Sequence, residues 1–326
     1  MPPTSIEPAP TTMNPPVIQR VAVVATGVIG ASWAAHFLAH GLDVSATDPS
    51  PGAEDRLRAS VAQHWPTLQR LGLAAGAAQN RLHFDTDLEQ AVAGTDFVQE
   101  NGPERQDFKA ELFRRLDAVL PPHVILASSS SGLSTTSIQS ACVHPERVVL
   151  GHPFNPPHLI PLVEVIGGER TSPATIERAM AFYASIGKKP IHGRKEIKGH
   201  IANRLQAALW REAFHLVEQG VASVEDIDIA IAHGPGLRWG VLGPFLNLHL
   251  SGGAGGIQHV LDHLGGPIAD WWQDLGRPDM SAALKAQVVQ GVADEMQGRR
   301  IEDLEASRDA LLIDLIKAKQ GQQFKD

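Results

Sequence analysis

The sequence has a single cysteine, Cys142, a single tyrosine, and only 5% aromatic residues. One thiol excludes an internal disulfide and a thiolate metal cage. No apolar run reaches the roughly 18 residues that a membrane-crossing helix requires. Positive charge is in deficit, with 28 Lys and Arg against 36 Asp and Glu, a net charge of −8. A chain of that sign repels phosphate backbones, so no nucleic-acid partner is expected. The residues before Val17 hold six prolines and no basic stretch leading into an apolar core. They predict a flexible tail over 1–16 rather than a signal peptide, and a cytoplasmic protein. Fifteen histidines raise the question of a metal, but no H-E-x-x-H pattern occurs, so none is expected.

What is present suits a two-domain globular protein of 326 residues, 43% of them hydrophobic. Val17–Val24 is a β-branched run stopped by the small-residue turn Ala25-Thr26-Gly27-Val28-Ile29-Gly30. That is the pattern of a strand buried on both faces. A helix follows to His40, with Gly41 as its stop, and Leu42–Thr47 reads as a second strand ending at Asp48. Further alternation of helices (55–71, 108–120) with short apolar strands (97–99, 124–127, 148–150) predicts an α/β, doubly wound Rossmann-type sheet over 17–198. From Ile201 the apolar residues recur at helical spacing, and Ser223 followed by Glu225 and Asp226 reads as a helix start. Leu304, Leu311, Leu312, Leu315 and Ile316 form one predicted stripe. An all-helical domain is expected over 199–326, with Gly252–Gly256 its loosest loop.

The first turn bears on chemistry. A helix N-terminus offers unpaired N–H groups to a pyrophosphate, and glycines let the backbone approach it. The dinucleotide fingerprint is G-x-G-x-x-G with an acid about 20 residues on. Gly27 and Gly30 fill its second and third glycine positions, Val28 and Ile29 carry helix-start amides, and Asp48 stands where the acid is required. A carboxylate there accepts from ribose hydroxyls and repels a 2′-phosphate, so NAD is expected rather than NADP. Ala25 occupies the first glycine position. If the turn needs positive φ, alanine costs on the order of 1 kcal/mol.

The second informative stretch runs from Gly151 to Val165. It places His152 and Glu164 in an apolar segment stiffened by Pro153, Pro156, Pro157 and Pro161. A carboxylate beside an imidazole orients the ring and stabilises the charge it gains on taking a proton. The alternative is a structural histidine and an ion-pairing glutamate. Ser128–Ser131 follow an apolar strand, where active residues of parallel sheets gather. No G-x-S-x-G elbow surrounds them, so a hydrolase nucleophile is not expected.

Together, the glycine turn, the serine run, Gly151-His152-Pro153-Phe154-Asn155-Pro156, the Leu162-Val163-Glu164 ending, Arg194-Lys195-Glu196, Ala208-Leu209-Trp210-Arg211-Glu212-Ala213 and Gly236-Leu237-Arg238-Trp239 resemble the 3-hydroxyacyl-CoA dehydrogenase family. The resemblance spans about Val17 to Leu315. It implies a Rossmann domain, a helical domain that often dimerises, a base at His152, an orienting acid at Glu164, and Ser131 and Asn203 near the substrate oxygen. It also places Glu104, Lys109 and Asn155 near the cofactor. Three departures are Ala25, Ser130 for a usual threonine, and His200 for a usual phenylalanine.

The implied reaction is NAD-dependent oxidation of a secondary alcohol at the 3-position of a small substrate. Within the family the resemblance is strongest to the carnitine-oxidising branch. Carnitine carries a quaternary ammonium, which aromatic faces hold, and a carboxylate, which a guanidinium holds. Trp210, Trp239 and Phe245 could supply the faces and Arg238 the guanidinium. L-Gulonate and a 3-hydroxyacyl-CoA are the alternative substrates. A crystallin-like structural protein or a dinucleotide sensor is the non-enzyme alternative. A homodimer is expected from the family and from the apolar helix over 201–217.

Overall fold

The computed structural model describes residues 17–321, so the expected tail over 1–16 lies outside the described residues. The chain divides after Lys198 into two compact units. The first is built on an eight-stranded sheet of β1 (Arg20–Val24), β2 (Asp43–Thr47), β3 (Leu82–Phe84), β4 (Phe97–Glu100), β5 (Ile125–Ser128), β6 (Val148–Pro153), β7 (Leu162–Gly167) and β8 (Lys189–Gly193). Its order is β3-β2-β1-β4-β5-β6-β7-β8. All neighbours run parallel except β6 and β7. Around it lie α1 (Val28–Ala39), α2 (Ala53–Leu71), α3 (Leu88–Val92), α4 (Gln106–Val119), α5 (Thr135–Ile138) and α6 (Pro173–Ser185). This is the doubly wound arrangement, with its switch point between β1 and β4, where a crevice opens at the carboxyl ends of the strands.

Residues 21–23 of β1 are fully buried because both faces of the sheet are covered. The strand starts at Arg20 rather than Val17. The Asp96 carboxylate takes the amides of Gln19 and Arg20, and ladder pairing with β2 begins only at Arg20. Helix α1 is buried from Gly30 to Ala39, with Ser32 and His36 the polar residues in that stretch. Trp33 stacks on Phe37 at 5.0 Å inside the larger core, together with Phe97, Phe182 and Tyr183. Ala31, Ala34 and Ala35 keep the helix close to the sheet.

The second unit is helical: α7 (Ala202–Glu218), α8 (Val224–Ala232), α9 (Pro235–Trp239), α10 (Pro244–Ser251), α11 (Gly256–Asp274), α12 (Ala282–Met296) and α13 (Ile301–Gly321). Ser223 caps α8, with Asp226 completing a reciprocal capping box. Two details differ from expectation. Gly252–Gly256 is not a loose loop. Gly253–Gly255 form a 3₁₀ turn that runs straight into α11, because Gly253 and Gly256 take left-handed φ and a Cβ on Gly252 would overlap the Gly256 carbonyl. In α13 the most buried residue is Ile313, while Leu311 is 72% exposed. No helix among the described residues is long and apolar enough to cross a membrane.

Candidate active site

Strand register builds the site. In the β1–β4–β5–β6 ladder, Val24 lies opposite Glu100, Glu100 opposite Ser128, and Ser128 opposite Leu150. The polar residues therefore gather at one carboxyl edge. Two residues past Leu150 comes His152, and the antiparallel β6–β7 pairing sets it directly across from Glu164. The imidazole Nδ1 is 2.8 Å from Glu164 Oε2, and both side chains are buried. That contact fixes the ring and directs proton exchange to Nε2. Phe154 meets the ring edge-on, with centroids 5.4 Å apart.

Glu100 is a buried hub. It accepts from the Lys109 ammonium at 2.8 and 2.9 Å, from the Ser128 hydroxyl at 2.7 Å and from the Gly102 amide at 2.6 Å. Lys109 also donates to the Gly102 carbonyl, and its side chain is 1% exposed. It is thus not a surface helix lysine; all three of its donors are committed inside the protein. Glu104 closes the loop after β5, accepting from the Ser130 hydroxyl and the amides of Gly132 and Leu133. Burial pushes its pKa up, but these donors and Lys109 outweigh it and hold the carboxylate below its ordinary range. Ser131 sits exposed at the tip of that loop, and Asn155 is exposed after β6.

The glycine turn is also explicit. Ala25 has φ 65°, so the first fingerprint position does require the left-handed region. Its carbonyl points at Gly30, where a Cβ would overlap it and touch the Asn101 amide at 3.3 Å. Gly27 caps α1 with open space where a Cβ would stand, no side chain caps the helix, and no acid lies in its first turn. Val28 and Ile29 follow as the first two helical residues. This end of α1 is fit for a pyrophosphate. Asp48, just past β2, accepts from Thr26 and Ser50. Burial raises its pKa, but these bonds win and keep it below the ordinary aspartate value. Beyond β2 and β3 lies a groove of about 520 Å³ lined by Ser50, Glu54, Asp55, Phe84 and Asp85 among others. Its acids disfavour an extra phosphate, and nearby Arg56 is committed to the Pro51 carbonyl. We expect Ala25→Gly to raise stability by about 1 kcal/mol by relieving the left-handed alanine. Thermal melting checks this, and an unchanged or lower Tm would contradict it.

In the second unit, Asn203 is half-buried in the first turn of α7. Trp210 on α7 is 53% exposed, Trp239 on α9 43% and Phe245 on α10 77%, and Arg238 beside Trp239 is exposed too. Asn247 on α10 donates to the Arg238 carbonyl and so ties α9 to α10.

Two buried groups were not singled out from the sequence. Glu100 ends an apolar strand with a charge, which is a readable signal. Gln99 gave none. It accepts from the Tyr183 hydroxyl at 2.6 Å and donates to Ser129 and to the Gly151 carbonyl. Cys142 is buried and its thiol is pushed up to about 12, chiefly by burial, which disfavours the thiolate form. No cluster of metal-ligating side chains occurs among the described residues.

Residues 20–197 match the family profile described as the NAD-binding domain of 3-hydroxyacyl-CoA dehydrogenase, and 199–299 match its C-terminal domain. The chain belongs to the 3-hydroxyacyl-CoA dehydrogenase family. Its first unit is therefore an NAD-binding domain, in agreement with the open helix end at Gly27 and the carboxylate at Asp48. The chain is 52% identical to L-carnitine dehydrogenase of Streptomyces griseus, covering 93% of this chain and 91% of that protein. It is 48% identical to the enzyme of the same name from Pseudomonas aeruginosa, covering 92% and 94%. Among solved structures it is similar to an NAD⁺-dependent dismutase, 5-formyl-3-hydroxy-2-methylpyridine 4-carboxylic acid 5-dehydrogenase. That match has a TM-score of 0.81 and 32% identity, covering 94% of this chain and 100% of the other.

Proposed function

We propose that the protein oxidises the 3-hydroxyl of L-carnitine to 3-dehydrocarnitine with NAD. The observation that carries the reaction class is the buried His152–Glu164 pair, set by strand register at the carboxyl edge of an NAD-binding sheet. The substrate rests on the carnitine dehydrogenases that match nearly the whole chain.

In this reading His152 takes the hydroxyl proton at Nε2, and Glu164 stabilises the imidazolium that forms. Ser131 and Asn203 hold the substrate oxygen, an assignment supported by their motif positions. Gly27, Val28, Ile29 and Gly30 receive the pyrophosphate and Asp48 a ribose. Glu104, Lys109 and Asn155 complete the cofactor side, with Lys109 acting through Glu100 and the Gly102 backbone rather than by an exposed ammonium. Bound NAD supplies the hydride acceptor. The exposed faces of Trp210, Trp239 and Phe245 suit a trimethylammonium group, worth about 2 kcal/mol when desolvated, and Arg238 suits its carboxylate. We assign 17–198 to the cofactor, 199–326 to substrate and dimerisation, and the protein to the cytoplasm as a homodimer. The exposed apolar side chains of α7, Leu205 at 62% and Leu209 at 37%, support the dimer.

The test is NADH formation with L-carnitine, D-carnitine, L-gulonate and 3-hydroxybutyryl-CoA, each with NAD and NADP. We expect turnover of L-carnitine with NAD. Preference for gulonate or the CoA ester would keep the mechanism and discard the substrate; NADH binding without turnover of any would favour a sensor.

A further inference from the structure

The loop from Phe154 to Pro161 joins the strand bearing His152 to the strand bearing Glu164. It exposes Asn155 near its start and buries Pro157, His158 and Leu159 near its middle. Two side chains from other elements hold that buried half. Lys188, between α6 and β8, donates its ammonium protons to the carbonyls of Pro157 and Ile160, the latter at 3.1 Å. The next residue continues the grip, the Lys189 amide donating to the Pro161 carbonyl at 2.8 Å. From the other side, Ser32 on α1 accepts the His158 amide at 2.8 Å and lies 2.9 Å from His158 Nδ1. Ser32 stands two residues beyond Gly30, on the helix whose N-terminus receives the pyrophosphate.

We propose that Lys188 is a positioning residue for the reaction, holding the His152–Glu164 loop from beneath while Ser32 ties the same loop to the cofactor helix. The inference rests on the reading of His152 as the base.

The energetics single Lys188 out. It is 4% exposed, and no carboxylate pairs with it among the described residues. Its ammonium lies over the Trp33 ring at 4.9 Å, and the titratable groups around it are His36 and His40 on α1 and His158 on the loop. Burial pushes it down to about 7. A buried cation without a counter-ion is costly to hold, and its bonds to the Pro157 and Ile160 carbonyls offset part of that cost. The geometry shows what the buried ammonium does: it pins the loop at two carbonyls, so that Asn155 and His152 are presented together at the sheet edge.

The test compares full-length wild type, Lys188→Met, Lys188→Gln and His152→Ala, measuring kcat on the substrate the wild type turns over, NADH affinity and thermal melting. Lys188→Met removes the buried charge but also the donor to the Pro157 and Ile160 carbonyls, so it is expected to melt close to the wild-type temperature and to bind NADH normally. Its kcat is expected to fall roughly 10- to 100-fold, the scale of a misplacement near 1 Å. Lys188→Gln keeps two N–H donors and should recover part of that loss. An unchanged kcat in Lys188→Met overturns the proposal. So does a fall in kcat that comes with lowered melting and is not relieved by Gln. If the Met variant does not fold, Ser32→Ala frees the same loop from its other side; a normal kcat there overturns the proposal. Turnover by His152→Ala at the wild-type rate would refute the base assignment itself. An inactive His152→Ala beside a fully active Lys188→Met would refute only the positioning role.

Discussion

His152→Ala is expected to lose roughly 100- to 10,000-fold in kcat while still binding NADH, the range for removing a general base. The imidazole is held by a carboxylate in the β6–β7 pairing, and the glycine turn proposed for the cofactor follows β1, which β4 and β5 separate from β6, so the two functions separate. Glu164→Gln should fall in the same direction by less. The ring stays oriented, but the charge that stabilises the imidazolium is gone. Fluorescence titration with NADH beside steady-state rates checks both. Lost NADH binding in His152→Ala would show that the histidine is structural.

The second large effect is expected at Gly30. A Cβ there would overlap the Ala25 carbonyl, and backbone cannot step aside as a flexible side chain can. Gly30→Ala must push α1 away from the β1 turn. Overpacking of this kind costs about 1–3 kcal/mol, and the helix end proposed to receive the pyrophosphate moves with it. We expect a lower Tm and at least a tenfold weaker NAD, the equivalent of about 1.4 kcal/mol. Gly27→Ala meets no neighbour in the protein. It should therefore melt like wild type and weaken NAD alone. Similar melting losses in both variants would contradict this division.

The parts of the fold that could be read in the sequence are those with strong local signals. The β1–α1–β2 unit was legible from a β-branched run, a small-residue turn and Gly41, and Ser223 from its capping pattern. The alanine at position 25 could be flagged, but only the backbone shows that φ there is positive. Strands β3 and β8 carried no such signal, and the β-branched run of β7 (Val163, Val165, Ile166) does not by itself say which neighbour it pairs with. β3 has three residues, and β7 owes its place to pairing with β6. His152 and Glu164 stood out as residue types, yet their contact depends on antiparallel register, which spacing alone does not specify. The Lys188 and Gln99 contacts bridge residues far apart in sequence, so no motif could announce them. In α13, the expected stripe failed at Leu311 because apolar spacing does not say which side of a helix meets a neighbour.

The most direct test of the account is transfer of label from L-carnitine deuterated at C3, read as the mass of the NADH formed. The account predicts one deuterium in the NADH from wild type, and the same product formed by His152→Ala at least about 100-fold more slowly. NADH without the label, or labelled NADH from His152→Ala at the wild-type rate, would contradict it.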